Sequence, residues 1–92
     1  MTDILDQTWR IDDDAVANKV GEETVILHMT SGIYFGLDEI GTLLWEGLKS
    51  GATPAAVCNA IVEEYDIERA TVESDLRTFL AELAENQLIS HA

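Results

Sequence analysis

The fold is decided by residues 23–48. They read Glu23-Thr-Val-Ile-Leu-His-Met29, then Thr30-Ser-Gly32, then Ile33-Tyr-Phe-Gly-Leu37, then Asp38-Glu-Ile-Gly-Thr-Leu-Leu-Trp-Glu-Gly-Leu48. Two short apolar runs flank a glycine-containing turn, the pattern of a β-hairpin with a short loop. In the first run Val25, Leu27 and Met29 share one face and Ile26 and His28 the other. Gly32 makes the reversal, because glycine takes a positive φ at little cost. In the second run Ile33, Phe35 and Leu37 share a face, while Tyr34 and Gly36 point away. Gly36 leaves mid-strand without a side chain, which weakens the strand but lets another backbone come close. Asp38 then caps a helix, along which Ile40, Leu43, Leu44 and Leu48 recur at helical spacing with Trp45 beside them.

Upstream, Ala15 to Val20 reads as a further strand and Gly21-Glu-Glu23 as a turn, so residues 15–37 form a three-stranded antiparallel meander. Thr8 to Ile11 is a short strand or a packed arm, tied down by Trp9. Met1 to Asp6 is expected to fray. Asp12-Asp-Asp14 is an acidic turn; a calcium loop would space its ligands and carry a glycine and a terminal glutamate.

Downstream, Gly51 ends the first helix in a left-handed conformation. Thr53 followed by Pro54 starts a second, with Val57, Cys58, Ile61, Val62 and Tyr65 as its apolar stripe and Glu63-Glu-Tyr-Asp66 closing it. A third helix begins between Asp66 and Thr71, with Val72, Leu76, Phe79, Leu80 and Leu83 as its stripe. About 18 residues at 1.5 Å rise make it roughly 27 Å long. Leu88-Ile89 adds a final short strand or packs back. Strands followed by three helices predict an α+β domain, with the helices on one side of the sheet.

The chain has 92 residues and is 47% hydrophobic, which fits one domain spanning residues 1–92 around a small core. Eighteen acidic residues stand against five basic ones, a net charge of -13. Such a surface repels phosphate backbones and anionic lipids, so neither nucleic acid nor membrane is an expected partner. The single cysteine, Cys58, excludes an internal disulfide. The N-terminus lacks a basic-then-apolar signal, and no apolar run approaches the roughly 20 residues of a membrane helix. The expected location is the cytoplasm.

Catalytic and metal-binding patterns are missing. Cys58 lies on an apolar helix stripe, where cysteine acts as a small core residue. His28 and His91 have no partner at metal-ligand or triad spacing. The paired carboxylates fall in turns and at helix ends rather than in a shielded cleft. No catalytic residue, metal site or cofactor is predicted, and the chain does not read as an enzyme. The aromatic residues are core candidates except Tyr34, which is either one half of a two-faced sheet or a contact residue.

Three segments in this order resemble the PqqD-like family: Thr30-Ser-Gly-Ile-Tyr-Phe-Gly-Leu-Asp-Glu-Ile-Gly-Thr-Leu-Leu-Trp45, Gly51-Ala-Thr-Pro-Ala-Ala-Val-Cys-Asn-Ala-Ile-Val-Glu-Glu-Tyr-Asp66 and Val72-Glu-Ser-Asp-Leu-Arg-Thr-Phe-Leu-Ala-Glu-Leu-Ala-Glu-Asn-Gln-Leu88. The shared pattern is a glycine turn, an aromatic strand ending in Leu-Asp, a helix ending near Trp, a Thr-capped helix ending in Glu-Tyr-Asp, and a helix with Asp shortly before Phe-Leu. The likeness spans about residues 16–89. It implies a winged helix-turn-helix-like fold, a three-stranded antiparallel sheet followed by three helices.

The resemblance also implies a recognition element for ribosomally synthesised, modified peptides. Such a domain binds the leader of a precursor peptide and presents its core to modifying enzymes, a leader peptidase or cyclase among them. The leader adds as a strand to the third β-strand, here Ile33, Tyr34, Phe35, Gly36 and Leu37. It lies against the third helix, here Val72, Asp75, Leu76 and Phe79. Thr30-Ser-Gly32 replaces the strand turn of the quinone-cofactor members, and small stand-alone members of lasso-peptide type look closer.

Physical reasoning on strand addition agrees with that mode. An open sheet edge offers main-chain hydrogen bonds and alternate side-chain pockets. Each bond contributes roughly 0.5–1.5 kcal/mol net, short of the about 8 kcal/mol a micromolar complex needs. Apolar burial must make up the difference, so Val72, Leu76 or Phe79 is expected to keep a partly exposed face. Asp75 or Arg77 anchors a polar leader residue.

Two other readings compete. One is an adaptor subunit docking a biosynthetic enzyme through an apolar patch. The other is a DNA-binding winged helix, which the second helix opposes because it carries neither Arg nor Lys. The expected oligomeric state is a monomer, or a weak homodimer through the open edge.

Overall fold

The computed structural model describes residues 3–92. Strand β1 (Trp9–Ile11) leads into β2 (Ala15–Val20), β3 (Glu23–His28) and β4 (Tyr34–Leu37). Helices α1 (Glu39–Lys49), α2 (Pro54–Glu64) and α3 (Arg69–Glu85) follow, and β5 (Ile89–His91) closes the chain. Strands β2, β3 and β4 form the antiparallel meander in that order, so β2 and β4 are its two edges. Strand β1 pairs with β5 in a separate two-stranded sheet, Trp9 opposite His91 and Ile11 opposite Ile89. The expected α+β architecture is observed.

The local signals act where the sequence placed them. Gly32 and Gly51 have φ of 73° and 88°. Asp38 Oδ1 accepts from the Gly41 N–H at 2.9 Å, and Thr53 Oγ1 accepts from the Ala56 N–H at 3.2 Å, capping α1 and α2. Helix α3 begins at Arg69 without a side-chain cap. Its place depends on burying Val72, Leu76, Leu80 and Leu83, as is usual where packing outweighs propensity.

Helix α1 packs on one face of the meander, against β3 and β4, and α2 and α3 pack against α1 and each other. Thr24, Ile26, His28 and Leu37 turn inward and are buried. Thr24 and Thr42 share a hydroxyl hydrogen bond of 2.9 Å, which satisfies two buried polar groups between β3 and α1. The hydrophobic core also takes in Leu5 and Trp9.

The N-terminal stretch corrects the expectation of fraying. Met1 and Thr2 lie outside the described residues. Residues Ile4–Asp6 form a 3-10 turn capped by Asp3, and Leu5 is buried. The Trp9 indole N–H donates to the Ile4 carbonyl at 3.1 Å, and Arg77 on α3 donates to Asp3 at 2.5 Å. One buried leucine, one indole and one charge-assisted bond hold this turn on the helices.

Candidate functional site

The hairpin geometry determines which atoms of β4 are open. The His28 N–H donates to the Ile33 carbonyl at 2.9 Å, and the His28 carbonyl accepts from the Gly32 N–H at 2.8 Å. Along an antiparallel pair, hydrogen-bonded and non-hydrogen-bonded positions alternate. The register pairs Ile26 with Phe35 and Thr24 with Leu37. Those are therefore the bonded pairs, and Ile33, Phe35 and Leu37 direct their backbone groups at β3. Tyr34 and Gly36 direct their N–H and C=O away from the sheet. With β4 at the edge, the site is a row of two donors and two acceptors.

Side-chain space around this row is also open. Tyr34 is 70% exposed. A Cβ placed on Gly36 would meet nothing within 4 Å. Packing inside the domain therefore places no demand for glycine at position 36, and the surface above it is free for an approaching backbone.

Helix α3 meets the end of β4 over Gly41. A Cβ on Gly41 would lie 3.0 Å from Leu37 Cδ2 and 3.1 Å from the Phe79 ring. The absence of a side chain in the first turn of α1 thus lets the Phe79 ring settle beside Leu37. Gly41 was not singled out from the sequence. Its signal was a glycine inside an apolar helical pattern, where packing is the common reason to keep one.

The four α3 residues expected to face a ligand divide. Phe79 is half-buried and Asp75 is exposed. At four residues apart they share one shoulder of the helix. Val72 and Leu76 are 1% and 0% exposed. Of the three apolar residues expected to offer a partly exposed face, Phe79 is the one that does, while Val72 and Leu76 belong to the buried stripe. Arg77 is held on the opposite shoulder, by Asp3 at 2.5 Å and Glu73 at 3.8 Å. Of the two candidate polar anchors, Asp75 is the one beside Phe79.

Titratable groups elsewhere are structural. The fold gives His28 partners that sequence spacing did not show. Its Nε2 lies 3.0 Å from Asp12 Oδ2 and its Nδ1 2.9 Å from Ser31 Oγ. Asp12, His28 and Ser31 thus form a chain of the composition found in hydrolases. Here it ties the β1–β2 turn to the β3–β4 turn, and the Ile33 N–H donates to the same Ser31 oxygen at 3.4 Å. Burial pushes the Cys58 thiol pKa up, away from the thiolate form. Glu22 beside Glu39 raises the Glu39 pKa. Among the described residues no cluster of three or more His, Cys, Asp or Glu side chains is placed to hold a metal ion. No described helix is long and apolar enough to cross a membrane.

The model of the family described as coenzyme PQQ synthesis protein D (PqqD) matches residues 23–89. The chain belongs to the PqqD family. Among solved structures, this PqqD-family chain is similar to TbiB1 in complex with the TbiA(beta) leader peptide. The two are 42% identical with a TM-score of 0.81, over 88% of this chain and 94% of that one. It is also similar to lasso peptide synthetase B1 complexed with its leader peptide, at 27% identity and a TM-score of 0.80. That match covers 89% of this chain and 96% of the other. No curated protein matches significantly.

Proposed function

We propose that this PqqD-family domain binds the leader segment of a ribosomally made precursor peptide as an added strand on β4. The bound leader is then presented to modifying enzymes, a leader peptidase or cyclase, in the cytoplasm. The observation that carries the proposal is the orientation of the β4 edge: Tyr34 and Gly36 offer two N–H and two C=O groups beside a shoulder bearing Phe79 and Asp75. The two solved relatives, both complexes with leader peptides, support the ligand class. The domain itself supplies no catalysis in this reading.

Magnitudes set what the groove must contribute. Four edge hydrogen bonds give about 2–6 kcal/mol at the usual net value. A micromolar complex requires about 8 kcal/mol. Covering roughly 80–240 Å² of apolar surface closes the gap at about 25 cal/mol per Å². Phe79, Ile33 and the Tyr34 ring are the surface available for that. The test is a calorimetric titration with the leader encoded beside this gene. Wild type should bind at micromolar strength or better, and Tyr34→Pro should lose binding with an unchanged fold. Full affinity in Tyr34→Pro would refute strand addition at β4.

One observation also favours an adaptor role. Among the described residues the large apolar side chains that stand exposed are Val16, Val20, Val25, Met29, Ile33 and Tyr34. All lie on the meander or its hairpin turn. Val16, Val20, Val25 and Tyr34 share the outward sheet face, an apolar patch in a chain of net charge -13. Exposed patches of this kind mark contact sites. A leader strand on β4 would widen the same face, so docking of an enzyme there complements leader binding.

A further inference from the structure

The meander has a second open edge, and it borders a cleft. The Met29 N–H donates to the Asp14 carbonyl at 2.9 Å, and the register pairs Val16 with Leu27 and Asn18 with Val25. Alternation then turns the backbone groups of Ala15, Ala17 and Lys19 outward. The Ala15 N–H is taken by the Asp12 carbonyl at 3.1 Å, which leaves Ala17 as the central open residue. Beside this edge a cleft of about 600 Å³ separates β2 from β1 and the end of α1. Trp9, Ile11, Trp45 and Leu48 line it, and Ala15 and Ala17 keep it open by being small.

The charge of the cleft runs against that of the molecule. The chain carries 18 acidic residues, yet none lines this cavity, while Arg10 and Lys49, two of only five basic residues, do. Two smaller cavities each include glutamate, Glu64 in one and Glu22 with Glu39 in the other. Among the described residues Arg10 is held by Asp13 alone, at 3.5 Å, with both side chains largely exposed. Such a pair is weak and exchangeable.

We propose that the β1–β2 cleft is a second docking site, for an extended segment of a partner protein that carries large apolar side chains and a carboxylate. The segment pairs with the β2 edge at Ala17, seats an apolar side chain between Trp9 and Trp45, and places its carboxylate at Arg10 and Lys49. A second copy of this chain is a poor occupant, since two bodies of net charge -13 repel. The site is at the opposite edge from β4 and stands apart from the leader reading.

Both tryptophans of the chain line the cleft, so their emission reports its occupancy. The probe is a capped hexapeptide of four valines closed by two glutamates, with a counterpart closed by two lysines. The glutamate peptide should shift tryptophan emission and the Ala17 and Lys19 amide resonances saturably. The lysine peptide should bind at least about tenfold more weakly. Ala17→Leu, which fills the cleft, should abolish the response, and the exposed Lys49→Glu should remove the preference for glutamate. Equal response to both peptides, no response, or shifts confined to Tyr34–Leu37 would overturn the proposal. A concentration-dependent dimer blocked by Ala17→Leu would overturn it in favour of self-association. A leader peptide added to the same samples separates the two sites. Its failure to shift Tyr34 and Gly36 would count against the β4 reading alone.

Discussion

The His28 N–H donates to the Ile33 carbonyl at 2.9 Å, and this bond determines which half of β4 faces solvent. Moving the strand by one residue would turn Phe35 and Leu37 outward and bury Tyr34. The open edge of β4 is therefore built by the turn Met29–Gly32 as much as by the strand. The His28 side chain, tied to Asp12 and Ser31, holds that turn in register.

Proline distinguishes the two backbone directions. At Tyr34 it removes an outward N–H, and edge strands accept it. Tyr34→Pro should therefore melt near wild type while leader affinity falls at least about tenfold, roughly one lost charge-free hydrogen bond plus its neighbour. At Phe35 it removes a bond to β3 and leaves the Ile26 carbonyl unpaired, a loss of about 1–3 kcal/mol. Thermal melts followed by circular dichroism separate the two variants.

The α3 residues split in the same way between fold and site. Leu76→Ala should cost about 2–5 kcal/mol of stability, as for other fully buried leucines. Phe79→Ala should cost less stability and should weaken leader binding more. Denaturant melts paired with titrations read both quantities. Equal effects on affinity at matched stability would remove Phe79 from the site.

Gly41→Ala tests the junction of β4 and α3. Alanine gains about 1 kcal/mol of helix propensity over glycine and meets Leu37 and Phe79 at close range. The half-buried Phe79 ring yields more easily than the buried Leu37. Stability should move little, while the ring turns into the groove and leader affinity drops. Ring-proton shifts of Phe79 follow the displacement directly.

Two carboxylates predict opposite pH behaviour. Arg77 beside Asp3 holds the Asp3 pKa below the usual 3.8. A lowered folded pKa gives stability that is present above the unfolded value and lost as pH falls through the folded one. The Ile4–Asp6 turn should therefore loosen below about pH 4, in the ordinary carboxylate range, with a change in Trp9 emission. Arg77→Ala should produce that change at neutral pH. Glu22 beside Glu39 raises the Glu39 pKa above 4.5. A raised folded pKa favours the fold at low pH and opposes it as pH rises through the folded value. Glu22→Gln should therefore raise the melting temperature slightly at neutral pH and have no effect in acid.

Much of this was legible before the structure. Gly32, Asp38, Gly51, Thr53 and Pro54 act through local stereochemistry, and the hairpin and helix limits followed from them. The pairing of β1 with β5 was not legible, because it joins residues some 80 apart in sequence through strands of three residues with no periodicity to read. The Asp12–His28–Ser31 chain was hidden for a related reason: Asp12 reaches His28 only across the turned β2–β3 hairpin. On α3 the stripe was clear, but which of Val72, Leu76 and Phe79 keeps an exposed face depends on what packs against each, and that is Phe79. The open row Tyr34–Gly36 needed one further fact, the phase of the ladder, which only the turn geometry provides.

Amide hydrogen exchange on the free and leader-bound protein tests the central claim most directly. In the free protein Phe35 and Leu37 should exchange slowly and Tyr34 and Gly36 quickly. Added leader should protect Tyr34 and Gly36 and change the other two little. Protection appearing elsewhere, with Tyr34 and Gly36 still exchanging quickly at saturation, would contradict strand addition at β4.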